Sequence, residues 1–124
     1  MILQHVSRGG LPAYALKKIQ LLKDENEIWV IDYTNSGGNT YVVQKNQIKD
    51  LSDKVITLGE DKSKIIDVIR EFDPDVIHFE EIPEMFMDKN IAKEIYLNSE
   101  RKYIIIETTH DSSFNVNDKI FYPD

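Results

Sequence analysis

The chain has 124 residues, a length typical of one domain, and its 41% hydrophobic and 30% charged residues argue against disorder. It contains no cysteine, which excludes disulfides and thiolate metal sites and favours a reducing compartment, so we predict a cytoplasmic protein. The formal net charge of −7 argues against nucleic acid as the main partner, because phosphate binding requires a basic face.

The charge is unevenly distributed along the chain. Residues 1–23 contain four basic side chains and no acidic one, so all 22 acidic residues lie after position 23. Such a segment suits an anionic ligand or a membrane surface. The alternative is that its lysines complement the negative end of a helix.

Short apolar runs alternate with helical periodicity along the chain. Apolar strands are predicted at residues 2–6, 28–31, 55–58, 75–79 and 103–107, and helical stripes at 11–22, 65–72 and 91–96. The pattern also predicts a turn-rich loop at 34–39, a short edge strand at 41–43 and a last strand at 119–122. Continuous apolar strands separated by helices are typical of a sheet covered on both faces. We therefore predict an α/β fold, a three-layer α/β/α Rossmann-like domain with a mainly parallel sheet, over residues 1–124.

Three unusual segments follow predicted strands. They are Ser7-Arg8-Gly9-Gly10 after the first strand, residues 80–83 after the fourth and residues 109–113 after the fifth. In the common strand order 3-2-1-4-5 these three strands are neighbours. Ligands of such sheets bind beyond the carboxyl ends of the strands, so we expect the three loops to meet at one site.

Gly9 and Gly10 come just before a predicted helix. Their lack of Cβ atoms would let the backbone approach a phosphate at the helix N-terminus, although a tight turn alone could also require glycine. The first strand is not followed by G-x-G-x-x-G, which makes a dinucleotide site doubtful. Residues 59–63 contain Lys-Ser but lack the glycine pair of a P-loop.

His110 lies in a polar loop beside Asp111. A histidine there can donate a hydrogen bond to a hydroxyl or phosphate, or act as a general base; the alternative is a histidine that stabilises the loop. His78 and His5 lie within strands and are interpreted as satisfied core residues.

The acidic residues Glu80, Glu81 and Glu84 lie near His78 and His110 in the predicted topology. No spacing typical of metal ligands accompanies them, so we predict no metal and interpret them as a solvated acidic loop.

Four segments in sequence resemble the N-terminal domain of retaining GT-B glycosyltransferases of the family 4 type. They are ILQHV at 2–6 with GGL at 9–11, EIWVI at 27–31, DPDVIHFE at 73–80 and IIIETTHD at 104–111. The third is similar to the "PDVVHxH" segment of that family, with Glu80 in place of the second histidine. The fourth is similar to its "xVxTxHD" strand and loop. The resemblance covers nearly the whole chain in the right order.

The resemblance implies a transferase that moves a sugar from a nucleotide-sugar donor to a sugar or lipid-linked acceptor with retention. It implies that Gly9 and Gly10 approach the donor diphosphate and that His110, the catalytic candidate, lies by the transferred sugar or the acceptor. Glu80 and Asp111 are carried over as donor- or acceptor-binding residues. No cofactor or metal is implied, and a lipid-linked acceptor would place the protein at the inner face of a membrane.

The family also has a C-terminal nucleotide-binding domain that is not within these 124 residues. From the resemblance we expect an incomplete N-terminal domain that is inactive alone and that self-associates or is only marginally stable. Two alternatives remain, namely a non-catalytic binding module of the same fold and a single-domain flavodoxin-like nucleotide-binding protein. A phosphoacceptor domain is disfavoured because no acidic cluster follows the first strand.

Overall fold

The computed structural model describes residues 1–35, 40 and 42–124 and contains one sheet with helices on both faces. The strands are β1 (Ile2–Leu3), β2 (Trp29–Asp32), β3 (Lys54–Thr57), β4 (Val76–Phe79) and β5 (Ile104–Glu107). The helices are α1 (Gly10–Leu22), α2 (Val43–Leu51), α3 (Lys64–Phe72) and α4 (Lys89–Tyr96). The strand order is β3-β2-β1-β4-β5 with every pairing parallel, which confirms the predicted α/β/α Rossmann-like class.

Two apolar clusters hold the three layers together. On one face of the sheet, α1 and α2 pack through Ala15, Ile19 and Ile48 against Leu3 and Val30. On the other face, the cluster contains side chains of α3 and α4 together with Ile77, Phe79 and Ile105. Burial on both faces explains the continuous apolar runs of β1 and β2, whereas β4 and β5 are buried on one face and have partly exposed apolar residues on the other.

Two helix boundaries follow directly from local chemistry. At the N-terminus of α4, the Asp88 carboxylate accepts hydrogen bonds from the amides of Asn90 and Ile91, at 2.8 and 3.4 Å. At the C-terminus of α3, Asp73 adopts a left-handed conformation with φ 46°, and Pro74 follows it. The predicted end of this helix at Asp73-Pro74 is confirmed.

Two predicted strands are wrong. The edge strand predicted at 41–43 does not form at residues 42 and 43, because α2 begins at Val43. Residues 36–39 and 41, and with them most of the predicted loop at 34–39, lie outside the described residues. The strand at 119–122 is replaced by an irregular segment after a one-turn helix at Val116–Asp118. In this segment Phe121 is buried against the ring of Tyr96, with ring centroids 5.5 Å apart. Phe121 therefore packs by tertiary contacts and not by strand pairing, while Ile120 and Tyr122 are exposed.

None of the helices in the described part of the chain is both long and apolar enough to cross a membrane.

Candidate functional site

The loops after β1, β4 and β5 lie together at the carboxyl edge of the sheet, as expected from the strand order. The Glu81 carboxylate, after β4, accepts hydrogen bonds from Thr109 Oγ1 at 2.9 Å and from the His110 amide at 3.1 Å, both after β5. The ring of Tyr14 on α1 contacts the ring of His110, with centroids 4.8 Å apart. We call the surface formed by residues 7–10, 80–82 and 108–113 the carboxyl edge.

Gly9 has a backbone conformation that other residues rarely adopt. Its φ of 113° and ψ of −166° turn the chain into α1, whose first residue is Gly10. Its amide donates to Gln44 Oε1 at 3.0 Å, which ties the turn to α2. A Cβ atom built at Gly9 or at Gly10 would have no described atom within 4 Å. The turn therefore requires glycine at position 9, and the open space beside both glycines leaves the approach of a phosphate as a prediction.

The N-terminus of α1 is open to an anion on electrostatic grounds. Gly9 has no side chain that could cap the helix, the Gly9 amide is itself bonded to Gln44 Oε1, and the first turn contains no acidic residue. The other first-turn amides, those of Gly10 and Leu11 since Pro12 has none, and the helix dipole favour negative charge at such a position. The arrangement suits a phosphate group.

Glu80 is buried below the surface of the carboxyl edge. Its carboxylate has no exposed area and accepts two hydrogen bonds from Lys18 Nζ, at 2.8 and 2.9 Å. Its oxygens also lie 3.7 Å from His78 Nδ1 and 3.9 Å from His110 Nε2. The carboxylate therefore lies next to two histidines while its own charge is matched by one lysine.

His110 is the most exposed of the three histidines. A quarter of its side chain is exposed, and its ring lies edge-on to Tyr14 at an interplanar angle of 67°. Its backbone amide donates a hydrogen bond to Glu81, and its ring nitrogen Nε2 lies 3.9 Å from the buried Glu80 carboxylate. The side chain can donate a hydrogen bond or transfer a proton to a ligand at this edge.

His78 lies deeper and is partly buried. Its Nε2 is 2.8 Å from Thr108 Oγ1 and 3.2 Å from Lys18 Nζ. Burial lowers the pKa of His78; the Glu80 carboxylate opposes that change and the Lys18 ammonium adds to it. His78 is thus hydrogen-bonded, but its side chain is 18% exposed and belongs to neither core cluster, so it is a satisfied residue at the margin of the core. His5 is also partly buried, with Nδ1 3.2 Å from Ser7 Oγ.

Asp111 organises the loop that follows His110. Its Oδ1 accepts hydrogen bonds from the Ser113 amide at 2.7 Å and from Ser113 Oγ at 2.5 Å. The Ser113 hydroxyl and amide together lower the pKa of this exposed carboxyl group. The structure thus shows Asp111 closing a turn; its contact with a donor or acceptor stays a prediction.

The interpretation of Glu80, Glu81 and Glu84 as a solvated acidic loop is wrong. All three carboxylates are almost fully buried, and Glu84 accepts hydrogen bonds from Lys119 Nζ at 3.0 Å and from the amides of residues 120 and 121. Burial raises the pKa of Glu84, but these hydrogen bonds outweigh that effect and hold it below its usual value. Each glutamate has long-range partners that the local sequence does not reveal. Within the described ranges, no group of three or more His, Cys, Asp or Glu side chains could hold a metal ion.

Sequence analysis missed Lys18, Tyr14 and the bridging role of Glu81. Lys18 was considered only as part of a basic segment, whereas in the structure it forms a buried ion pair with Glu80. Tyr14 and Lys18 are four residues apart on α1, so they share the helix face that borders β4 and β5. The four-residue spacing of Tyr14 and Lys18 is visible in the sequence. Only the observed strand order shows that this helix face borders β4 and β5.

We found no protein-family model, curated protein or solved structure that matches the chain. The geometry of the carboxyl edge is therefore what supports a function for this protein.

Proposed function

We propose that the chain is the acceptor-side, Rossmann-like domain of a retaining GT-B glycosyltransferase, with its ligands at the carboxyl edge. One observation carries the proposal. The N-terminus of α1, with no acidic residue in its first turn and open space beside Gly9 and Gly10, lies on the same edge as the partly exposed ring of His110, which contacts the ring of Tyr14 on α1. An anion site next to a hydrogen-bond donor is what transfer from a sugar diphosphate requires.

In this proposal the two glycines and His110 have different roles. Gly9 and Gly10 let the backbone approach the diphosphate of the donor, because no Cβ atom stands between the amides and the ligand. His110 donates a hydrogen bond to the transferred sugar or to the acceptor. Catalysis then consists of positioning the reactants and stabilising charge on the departing nucleoside diphosphate.

The buried residues act through His110. Because Glu80 has no exposed area, it supports the position of His110 from below and does not touch the ligand directly. Glu81 accepts hydrogen bonds from the Thr109 hydroxyl and the His110 amide, and Asp111 holds the loop that continues from them. Rigid support of this kind keeps a donor group in its productive position.

The proposal includes partners outside these residues. The nucleotide of the donor is held by a second, C-terminal domain that faces the carboxyl edge, and the acceptor is a sugar or a lipid-linked sugar. The setting is the cytoplasm, at the inner face of a membrane if the acceptor is lipid-linked. No metal is needed in this scheme.

The binding half of the proposal can be tested on the chain alone. UDP-, GDP- and ADP-sugars are titrated into the 15N-labelled chain, and amide shifts are mapped by NMR. We expect shifts at Gly9, Gly10 and His110, and a loss of affinity of about tenfold or more, equal to about 1.4 kcal/mol, in Gly10→Val. Gly59→Val is the matched control, since Gly59 also has open space at its Cβ position but follows β3.

Three outcomes separate the proposal from its alternatives. Shifts at a different surface, or equal binding by Gly10→Val, would refute the assigned site. Binding of nucleotides without the sugar at equal affinity would favour the flavodoxin-like alternative. We also expect no release of nucleoside diphosphate by the chain alone, and turnover of about 1 s⁻¹ or more would show that the second domain is unnecessary.

A further inference from the structure

One half of the sheet is covered by helices on only one face. In the register of β4 and β5, Val76 pairs with Ile104 and His78 pairs with Ile106. These four residues point away from the cluster that contains Ile77, Phe79 and Ile105. Val76, Ile104 and Ile106 are 43%, 50% and 40% exposed, values far above those of their buried strand neighbours. We call this surface the open β4–β5 face.

The open face continues into a groove beside α1. The groove is lined on the helix side by Lys18 and Leu22 and on the sheet side by Val76, His78 and Ile106. Leu22 is 44% exposed, although it belongs to the apolar stripe of α1. The floor is thus largely apolar and the groove is open to solvent along its length.

The rim of the groove is acidic. Glu25, Glu27, Asp73 and Asp75 line it and are all exposed. Two basic groups are in the lining: Lys18 is already paired with the buried carboxylate of Glu80, and the Met1 amino group donates to the Trp29 carbonyl at 2.7 Å. The surface around the apolar floor therefore has a net negative potential, which attracts a positively charged partner and repels an acidic one.

The width of the open face matches one α-helix. Neighbouring strands lie about 4.8 Å apart, so two strands present a strip about 10 Å wide. An α-helix with its side chains has a diameter of about 10–12 Å. Parallel α/β sheets are covered by helices on both faces, and here the position over β4 and β5 is the one that the described helices leave open.

We propose that the open β4–β5 face is a docking site for one amphipathic α-helix that carries lysine or arginine residues beside its apolar stripe. The apolar stripe covers Val76, Ile104, Ile106 and Leu22, and the basic residues meet the carboxylates of the rim. A second copy of this chain is a poor occupant, because it carries a net charge of −7 and the same acidic rim. The proposal is independent of the glycosyltransferase function, since it concerns a different surface.

Three synthetic peptides of equal length test the proposal. The first has an apolar helical stripe flanked by lysines, the second has glutamates in place of those lysines, and the third is a scramble of the first. Binding to the intact chain is measured by isothermal titration calorimetry and mapped by NMR. We expect the basic amphipathic peptide to bind at least about tenfold more tightly than the other two, with shifts at Val76, Ile104 and Ile106.

Variants of exposed residues locate the site without disturbing the core. Ile104→Ser with Ile106→Ser is expected to weaken binding of the basic peptide about tenfold or more. The matched control is Leu97→Ser with Val116→Ser, two exposed apolar residues elsewhere, which should bind normally. If the Ile104 and Ile106 variant fails to fold, Glu25→Lys with Asp75→Lys serves instead, and it should reverse the preference between basic and acidic peptides.

Several results would overturn the proposal. Equal binding of the three peptides, no binding at millimolar concentration, or unchanged binding by the variants would each do so. Self-association of the chain that is abolished by Ile104→Ser with Ile106→Ser, measured by sedimentation equilibrium, would identify a second copy as the occupant instead.

Discussion

Lys18 Nζ lies 2.8 and 2.9 Å from the two oxygens of Glu80, and the Glu80 side chain has no exposed area. The pair joins α1 to the segment after β4, below His110. A buried ion pair contributes little net stability compared with well-packed apolar residues, but loss of one partner leaves an uncompensated buried charge. The Lys18–Glu80 pair therefore fixes the geometry of the carboxyl edge more than it adds to stability.

Removal of one partner of this pair should be severely destabilising. We expect Lys18→Met to lower the free energy of unfolding by about 3–5 kcal/mol, because the Glu80 carboxylate loses both hydrogen bonds. The double variant Lys18→Met with Glu80→Leu should recover most of that loss, since it buries no charge. Urea denaturation measures all of these values.

The control for the ion pair is Lys23→Ala. Lys23 pairs with Asp24 at 3.0 Å, but both side chains are well exposed, so we expect a change of about 0.5 kcal/mol or less. If Lys18→Met were no more destabilising than Lys23→Ala, the buried pair would not exist in solution.

The two glycines before α1 should respond differently to alanine. Gly9 has φ 113°, a region in which a Cβ atom is strained, so Gly9→Ala should lower the free energy of unfolding by about 1–2 kcal/mol. Gly10 lies in α1 with open space at its Cβ position, so Gly10→Ala should be neutral or stabilising by up to about 1 kcal/mol. Thermal melting of the two variants side by side tests this difference. Equal melting temperatures would contradict the observed turn.

Glu81 should determine the local order of the loop after β5. Its carboxylate accepts hydrogen bonds from Thr109 Oγ1 and from the amides of His110 and Ile82. We expect Glu81→Ala to cost about 1–3 kcal/mol and to abolish the protection of the His110 amide in hydrogen exchange. Asp111→Ala is the control, because this exposed carboxylate bonds only within its own loop; it should leave protection of the His110 amide unchanged.

The parallel sheet could be predicted from the sequence because its strands and helices follow from the local pattern of apolar residues. The apolar strands and the helices between them specified a parallel sheet, and the usual order of such sheets brought the loops at Gly9, Glu80 and His110 to one edge. The helix α2 was missed because Ile48 is its only buried residue, so its apolar periodicity is weak. The β-branched residues Val42 and Val43 favoured a strand instead.

The partners of charged residues were not predictable from the sequence. The Lys18 and Glu80 side chains are 62 positions apart, and Lys119 bonds to Glu84 and Glu107, which are 35 and 12 positions away. A run of glutamates after a strand looks solvated until these long-range contacts are known. Charged side chains are rarely buried unless paired, so the pairing is decided by tertiary structure and not by local pattern.

His78 should make stability depend on pH. Burial lowers the pKa of His78 below its ordinary value of 6.5, although the Glu80 carboxylate opposes this and Lys18 and His110 add to it. The unfolded chain therefore takes up this proton at a higher pH than the folded chain. The contribution of His78 to the free energy of unfolding is complete above pH 6.5. It is lost as the pH falls from 6.5 toward the lower pKa that His78 has in the folded chain.

Urea denaturation at about pH 7.5 and about pH 5.5 tests this expectation. The native chain should lose more stability than His78→Gln between the two conditions, because glutamine does not titrate. NMR titration of the His78 ring provides a direct check. A midpoint above 6.5 would mean that Glu80, and not burial, controls this histidine.

The central test of the proposed function concerns His110. Its side chain is a quarter exposed and packs on Tyr14 without filling the core, so we expect His110→Ala to cost about 1 kcal/mol or less in stability. In an enzyme assembled with the proposed nucleotide-binding domain, the same variant should lower kcat by a factor of about 10² to 10³, because a preorganised donor is lost. His110→Gln retains an N–H donor and should recover part of that rate if the histidine acts by hydrogen bonding. No recovery in a folded His110→Gln protein would instead indicate proton transfer by the ring. Near-normal turnover by His110→Ala would mean that the histidine is a structural residue and does not belong to the site. Unfolding of the same variant would show that His110 anchors its loop against Tyr14.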